Sequence, residues 1–149
     1  MGQLFEDFTI SILKLNKLVQ KIKTFEMERF GLKSIHVMCI YYLNKNPQGL
    51  TAKELGELTH EDKAAISRAL KIIQNDGYVK YDPNSRNALI TLTDSGKEMA
   101  LTILGMADRA VMAGSVDFTE EERAFFYKSL GVIVDNLKNY YKDLVKNNG

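Results

Sequence analysis

The sequence contains few of the residues on which covalent or metal-based chemistry depends. Its single cysteine cannot form an intrachain disulfide, which is typical of proteins of the reducing cytoplasm. The two histidines and the cysteine do not have the spacing of a zinc site, and no HExxH, CxxC, Walker or Gly-x-Ser-x-Gly motif occurs. No carboxylate pairs with a histidine in a recognisable catalytic order. We therefore predict a protein that is not an enzyme and that uses no metal and no cofactor.

Long apolar runs and net charge are also missing. No run of about 18 apolar residues predicts a transmembrane helix, and the N-terminus lacks the basic patch and apolar core of a signal peptide. We therefore expect a cytoplasmic protein without a membrane partner. The net charge of +1 argues against a general nucleic-acid coat, which needs a basic field. A chain of 149 residues that is 45% hydrophobic can form one domain, or one compact two-lobed unit, with a real core.

The most ordered pattern in the sequence is a predicted helix-turn-helix that begins at Leu50. Thr51 and Glu54 have the spacing of a capping box, so a short helix is expected to start there. After a break at 59–61, a second helix is predicted over about 62–76. Gly77 suits the left-handed residue that ends such a helix.

A two-stranded wing is predicted directly after the second helix, over about 78–93. Two strand-like runs, 78–81 and 88–92, are joined by a predicted turn over 82–85. A helix-turn-helix followed by such a wing is a design that places one helix in the DNA major groove.

The second helix has an apolar stripe and an opposite polar face. At about 100° per residue, Ile66, Ala69, Leu70 and Ile73 share one stripe, and Ala64, Ser67, Arg68, Lys71 and Asn75 lie opposite. Small residues near the N-terminus of a recognition helix allow it to approach base edges. Arg68 suits a guanine edge or a phosphate, Ser67 a base or a phosphate, and Lys71 a phosphate. An ordinary amphipathic helix with a solvated charged face is the alternative interpretation.

These segments resemble the winged helix-turn-helix of the MarR (multiple-antibiotic-resistance) regulators, and the order of the flanking helices extends the resemblance to nearly the whole chain. The matching residues are Thr51–Leu55, Ala65-Ile66-Ser67-Arg68, Asp76-Gly77-Tyr78-Val79 and Leu92-Thr93-Asp94-Ser95-Gly96. The resemblance implies a mainly α fold with a small β wing, and a regulator that binds double-stranded DNA. The predicted DNA-binding residues are Lys63, Ala64, Ser67, Arg68, Lys71, Lys80 and Arg86.

The wing departs from the family pattern at one point. MarR wings usually carry Asp-x-Arg, whereas this sequence has Asn84-Ser85-Arg86 in a wing that is a few residues shorter. The resemblance implies that Arg86 still contacts the minor groove or a phosphate. Asp82 is the substitute that we predict to brace it.

Long helices with heptad-like seams are predicted at both ends of the chain. Their apolar residues step by three and four: Phe8, Ile12, Leu15, Val19 and Ile22 near the N-terminus, and Phe126, Leu130, Ile133, Leu137, Tyr140 and Leu144 near the C-terminus. Thr119 and Glu122 form a second predicted capping box. We predict dimerisation helices over 1–32 and 114–149 and a DNA-binding lobe over 33–113; packing within a monomer is the alternative. A homodimer would present two recognition helices to half-sites of a palindromic operator about 34 Å apart.

Connecting helices are predicted over 33–44 and 93–113. The resemblance implies that a small aromatic or phenolic ligand binds where the dimer helices meet the DNA-binding lobe. The candidate pocket residues are His36, Met38, Cys39, Tyr41 and Tyr42. The alternative is that most of them belong to the core. Cys39 as a peroxide sensor is a further hypothesis, although a thiol in the middle of an apolar stripe is expected to be inert.

Two functions follow from these observations. The first is a dimeric, sequence-specific DNA-binding transcription regulator, a repressor that a small molecule releases. The alternative is a winged-helix module that binds protein instead of DNA. The balance of six basic and six acidic residues between Leu50 and Thr93 keeps this alternative open.

Overall fold

The computed structural model describes residues 2–149 and divides into two compact units at Ala107 and Asp108. Its elements, in chain order, are α1 (Gly2–Phe5), a π-helical turn (Glu6–Ile10), α2 (Ser11–Glu28), α3 (Ser34–Lys45), α4 (Ala52–Thr59), α5 (Lys63–Asn75), β1 (Val79–Lys80), β2 (Thr91–Leu92), α6 (Asp94–Gly114) and α7 (Glu120–Asn148). The mainly α fold with a small β wing is confirmed. None of the helices over residues 2–149 is long and apolar enough to cross a membrane.

The helices begin where side chains satisfy their first backbone N–H groups. Thr51 and Glu54 form the predicted capping box: the Thr51 N–H donates to Glu54 Oε2 at 2.7 Å, and the Glu54 N–H donates to Thr51 Oγ1 at 3.2 Å. The Asp62 carboxylate caps α5 by accepting the Ala65 N–H at 2.7 Å. Helices α3, α5 and α6 each begin one residue later than predicted, because the first predicted residue of each stands just before the helix as its cap.

The turn between α4 and α5 and the end of α5 depend on left-handed backbone. His60 has a φ of 57°, and Gly77 has a φ of +83° just beyond α5. Gly77 adopts this conformation without steric cost because it has no Cβ. The two helices of the helix-turn-helix are therefore bounded by local backbone chemistry.

The core of the first unit lies under the helix-turn-helix. Ile66, Leu70 and Ile73 of α5 are buried, as the predicted apolar stripe requires, and α5 packs against α3 and α4. Leu55 of α4 and Ile40 of α3 are fully buried in the same cluster. This burial leaves the opposite face of α5 exposed.

The wing has shorter strands than predicted. β1 and β2 pair antiparallel through only two residue pairs, Val79 with Leu92 and Lys80 with Thr91. Beyond these pairs the chain forms a turn in place of a ladder. The predicted turn over 82–85 is closed by the Ser85 N–H, which donates to the Asp82 carbonyl at 3.2 Å. An isolated antiparallel bridge between Leu50 and Ile90 fixes the chain just before β2.

The base of the wing lies against the start of α6. The Thr93 N–H donates to the Tyr78 carbonyl at 3.0 Å, and the Gly96 N–H donates to Thr93 Oγ1 at 3.0 Å. A Cβ on Gly96 would lie 2.0 Å from the Tyr78 carbonyl oxygen. Only glycine allows this approach of the two backbones.

We predict that Gly96→Ala destabilises the fold by at least about 1–3 kcal/mol, because the new methyl group would force two hydrogen-bonded backbone segments apart. Urea unfolding measures the change. Gly114→Ala is the matched control on the same helix, since no atom lies within 4 Å of its added Cβ. That control should leave stability unchanged or raise it by up to about 1 kcal/mol. Equal stability of Gly96→Ala and wild type would contradict the close packing at this point.

The second unit contains the end of α6 and the whole of α7. The predicted capping box is present: the Thr119 N–H donates to Glu122 Oε2 at 2.8 Å, and the Glu122 N–H donates to Thr119 Oγ1 at 3.2 Å. Arg123 closes the turn before α7 by donating to Ser115 Oγ at 2.7 Å and to the Ser115 carbonyl at 3.0 Å. Ser115 is itself buried.

The N-terminal helical region differs from the prediction of one regular seam. The segment Glu6–Ile10 is π-helical, so Phe8 lies in a wider turn than the α-helix that follows. The remaining seam residues from Ile12 to Ile22 lie in α2, where the spacing of three and four puts them on one stripe.

Candidate nucleic-acid interface

The outer face of α5 exposes the residues that were predicted to contact DNA. Ala64, Ser67, Arg68 and Lys71 are all exposed, and no acidic residue shares their stripe. Across residues 2–149 the one ion pair joins Lys138 to Asp135, so the cations of this face are not neutralised by a partner side chain.

A cleft of about 910 Å³ separates the helix-turn-helix from the wing. We call it the wing cleft. Lys63 and Ser67 of α5 line one side, and Ser85 and Arg86 of the wing line the other. Of the predicted DNA-binding residues, the structure thus brings Lys63, Ser67 and Arg86 together around one cavity. The others lie outside its lining: Ala64, Arg68 and Lys71 on α5, and Lys80 on β1.

The wing cleft carries charges of both signs. Its basic residues are Lys53, Lys63 and Arg86, and its acidic residues are Glu57, Glu61 and Asp82. The cleft alone therefore gives no strong positive field. Positive charge is found instead on the outer stripe of α5, where Arg68 and Lys71 lie one turn apart on a helix that contains no acidic residue.

Asp82 does not brace Arg86, so this prediction is wrong. Its Oδ1 accepts the backbone N–H of Asn84 at 2.9 Å, and no ion pair within residues 2–149 joins it to Arg86. A carboxylate two residues before a free N–H closes an Asx turn. Asp82 therefore shapes the tip of the wing, and Arg86 extends from it as an exposed side chain.

One contact that joins α5 to the wing was not predicted from the sequence. Gln74 Nε2 donates to the Tyr81 carbonyl at 2.9 Å, across seven residues of sequence. Helical periodicity could have placed Gln74 on the side of α5 that faces the wing cleft. Its spacing from Lys63 and Ser67, which line the cleft, puts all three residues on one face of the helix. Lys53 and His60 of the cleft lining were also missed.

The candidate ligand residues lie on α3, away from the wing cleft. Cys39 and His36 are buried, at 0% and 3% exposure, and Cys39 belongs to the hydrophobic core. Met38, Tyr41 and Tyr42 are half-buried. The two tyrosine rings meet edge to face with centroids 5.1 Å apart.

Cys39 is held as a thiol. Burial, with a smaller contribution from the negative charge of Glu61, raises the pKa of the Cys39 thiol to about 12. The thiolate is the reactive form, so a peroxide-sensing role would need a large change in its surroundings.

His36 is buried with a defined hydrogen bond. Its Nδ1 accepts the Lys33 backbone N–H at 2.9 Å, which requires an unprotonated Nδ1 at the start of α3. Burial first, and then the positive charge of Lys33, lower the pKa of His36 below its ordinary value, while Asp76 acts in the opposite direction.

We predict that His36 makes stability depend on pH. Its folded pKa lies below the value of 6.5 expected for the unfolded chain. The unfolded chain therefore binds more protons, and the free energy of unfolding should fall as pH drops below that value. Urea unfolding between pH 7.5 and 5.5 measures this slope, which His36→Gln should reduce. His60→Asn is the control, because it replaces an exposed histidine with a residue that tolerates left-handed backbone. An unaltered slope in His36→Gln would contradict the assignment.

A wing beside a helix-turn-helix defines a winged-helix protein. A model of the MarR family matches residues 30–87 of the chain. A MarR transcriptional regulator from Methanosarcina mazei Go1 is 21% identical, covering 91% of this chain and 92% of that chain, with a TM-score of 0.81. A MarR protein from Peptoclostridium difficile is 22% identical over 93% and 92% of the two chains, with a TM-score of 0.77. MepR of S. aureus, solved in complex with DNA, is 17% identical over 87% and 97%, with a TM-score of 0.72.

The resemblance to the MarR family is therefore confirmed. The family's own model matches the helix-turn-helix and the first part of the wing, and solved MarR regulators share the fold of about nine-tenths of the chain. No curated protein gives a significant match.

Proposed function

We propose that the protein is a dimeric, sequence-specific DNA-binding regulator of transcription, and that it is a repressor released by a small aromatic or phenolic ligand. The observation that carries this proposal is the outer stripe of α5, where Arg68 and Lys71 are exposed on a helix that contains no acidic residue. The MarR family match and the DNA complex of the structurally similar MepR support it.

The geometry suggests a path for the DNA backbone. With α5 in the major groove, Arg68 meets base edges and Lys71 a phosphate. One sugar-phosphate strand then passes through the wing cleft, between Ser67 on α5 and Arg86 on the wing. The wing tip is exposed, so Arg86 can reach the adjacent minor groove. The mixed charges of the cleft make the fit to a particular site more important than a general attraction to DNA.

We predict that Arg68→Ala costs about 1–3 kcal/mol of operator binding and relaxes base preference at one position, because a base-reading contact is lost. Lys71→Ala should weaken all sequences about equally and reduce the salt slope by roughly one unit, since it removes a phosphate contact. Titration of the DNA upstream of the protein's own coding sequence, at several salt concentrations, measures both effects. Lys97→Ala is the control, because it removes an exposed lysine from α6.

Two outcomes would contradict this assignment. Unchanged affinity in both variants would show that the outer stripe of α5 does not face DNA. Absence of specific DNA binding by the wild type, together with a protein complex that is insensitive to salt, would favour the alternative of a winged-helix module that binds protein.

Dimerisation through the terminal helices is the second part of the proposal. The α2 stripe is exposed to solvent, with Leu15 at 51% and Val19 at 52%, and so is the α7 stripe, with Leu137 at 49%. Side chains of this size rarely remain in contact with water over such a length, because burying each stabilises an assembly by about 1.5–3 kcal/mol. A second copy of the chain offers the same stripes and would cover them.

We expect Leu137→Glu to give monomer or unfolded chain in analytical ultracentrifugation, because the seam would bury an unpaired charge. Lys128→Glu places the same side chain on the opposite face of α7, where it is exposed, and should remain dimeric. A stable folded monomer of the wild type would refute the dimer.

Release by a ligand has its own test, in which small aromatic or phenolic compounds are added to the operator complex. The proposal expects the complex to be lost.

A further inference from the structure

The wing has few connections to the rest of the lobe. Its strands contribute two residue pairs at the base. Beyond them, the chain from Tyr81 to Leu89 has no ladder partner, and the Leu50–Ile90 bridge holds its far end. Arg86 lies in the middle of this segment, so its position depends on how the two ends are held.

Gln74 holds the near end. Its side-chain amide donates to the Tyr81 carbonyl at 2.9 Å in a partly buried contact. Tyr81 is the first residue beyond β1, and its ring packs against the hydrophobic core. Gln74 lies in the last turn of α5, on the same side of the helix as Ser67. The bond therefore connects the recognition helix to the strand end from which the wing tip begins.

We propose that Gln74 is a positioning residue that makes the wing follow the recognition helix, so that Arg86 is set in place whenever α5 is docked. This inference rests on the proposed DNA-binding function. Gln74 acts through the backbone at Tyr81 and needs no contact with DNA.

The physical reason is the cost of ordering a loop. Without the amide donor, the Tyr81 carbonyl would bond to water and the segment up to Ile90 would sample more conformations. Binding DNA would then have to order the segment at the expense of affinity. The expected loss is about two- to tenfold, the worth of one hydrogen bond. It should be confined to the part of the affinity that Arg86 supplies.

The test is a double-mutant cycle with Gln74→Met, which keeps the length of the side chain and removes the donor, and Arg86→Ala. Operator binding is measured with A·T-rich and with G·C-rich flanks, because a narrow A·T minor groove favours an inserted arginine. Gln74→Met should weaken binding about two- to tenfold, more so with A·T flanks. In the Arg86→Ala background it should have almost no further effect. Gln48→Met, at an exposed loop position, is the matched control and should bind like the wild type.

Equal losses from Gln74→Met in both backgrounds would overturn the inference, because the residue would then act independently of the wing. It would also be overturned if Arg86→Ala weakened binding and Gln74→Met did not. If the wild type bound no DNA, the proposed function would fail and the positioning role with it.

Amide hydrogen exchange supplies a readout that does not need DNA. Gln74→Met should speed exchange at the hydrogen-bonded wing amides of Asn84 and Ser85 and leave α5 unchanged. Unchanged exchange in the wing would refute the tether even if operator affinity fell. Should Gln74→Met prove too unstable to study, Gln74→Ala serves the same cycle and the same exchange measurement.

Discussion

The one-sided burial of α5 is the constraint on which the candidate nucleic-acid interface depends. Ile66, Leu70 and Ile73 are almost completely removed from solvent, and burial of each stabilises the fold by about 1.5–3 kcal/mol. That exceeds the 0.2–1 kcal/mol or so expected of an exposed ionic contact. Packing therefore decides the rotation of the helix. Arg68 points outward because the opposite stripe must point inward.

Local backbone chemistry decides where many of the acidic residues lie. Glu54 and Asp62 accept N–H groups at the starts of α4 and α5, and Asp82 accepts one within the wing turn. Asp62 is further stabilised by the positive end of the α5 dipole. Carboxylates used in this way offset the basic residues in a count of charges, yet they do not share the outer stripe of α5. The net charge of a small domain is therefore a poor guide to the charge of one face.

The features that depend on neighbours in sequence could be predicted, and those that depend on distant partners could not. The capping box at Thr51, the stop at Gly77 and the buried stripe of α5 follow from spacing alone. The wing strands were predicted too long because β propensity does not reveal where a ladder loses its partner. Asp82 was assigned to Arg86 although the Asn84 amide lies nearer in sequence and competes for the same carboxylate. The wing cleft requires two elements to be placed in space, which no spacing rule supplies.

The chemistry of Cys39 has a practical consequence for studying this protein. It is the only cysteine in the chain, it is fully buried, and its pKa of about 12 keeps it out of the reactive thiolate form. A cysteine introduced at an exposed position such as Ser85 would then be the one thiol that a maleimide probe modifies in the folded state. A fluorescent or spin label can therefore be attached to the wing tip without first removing the native cysteine.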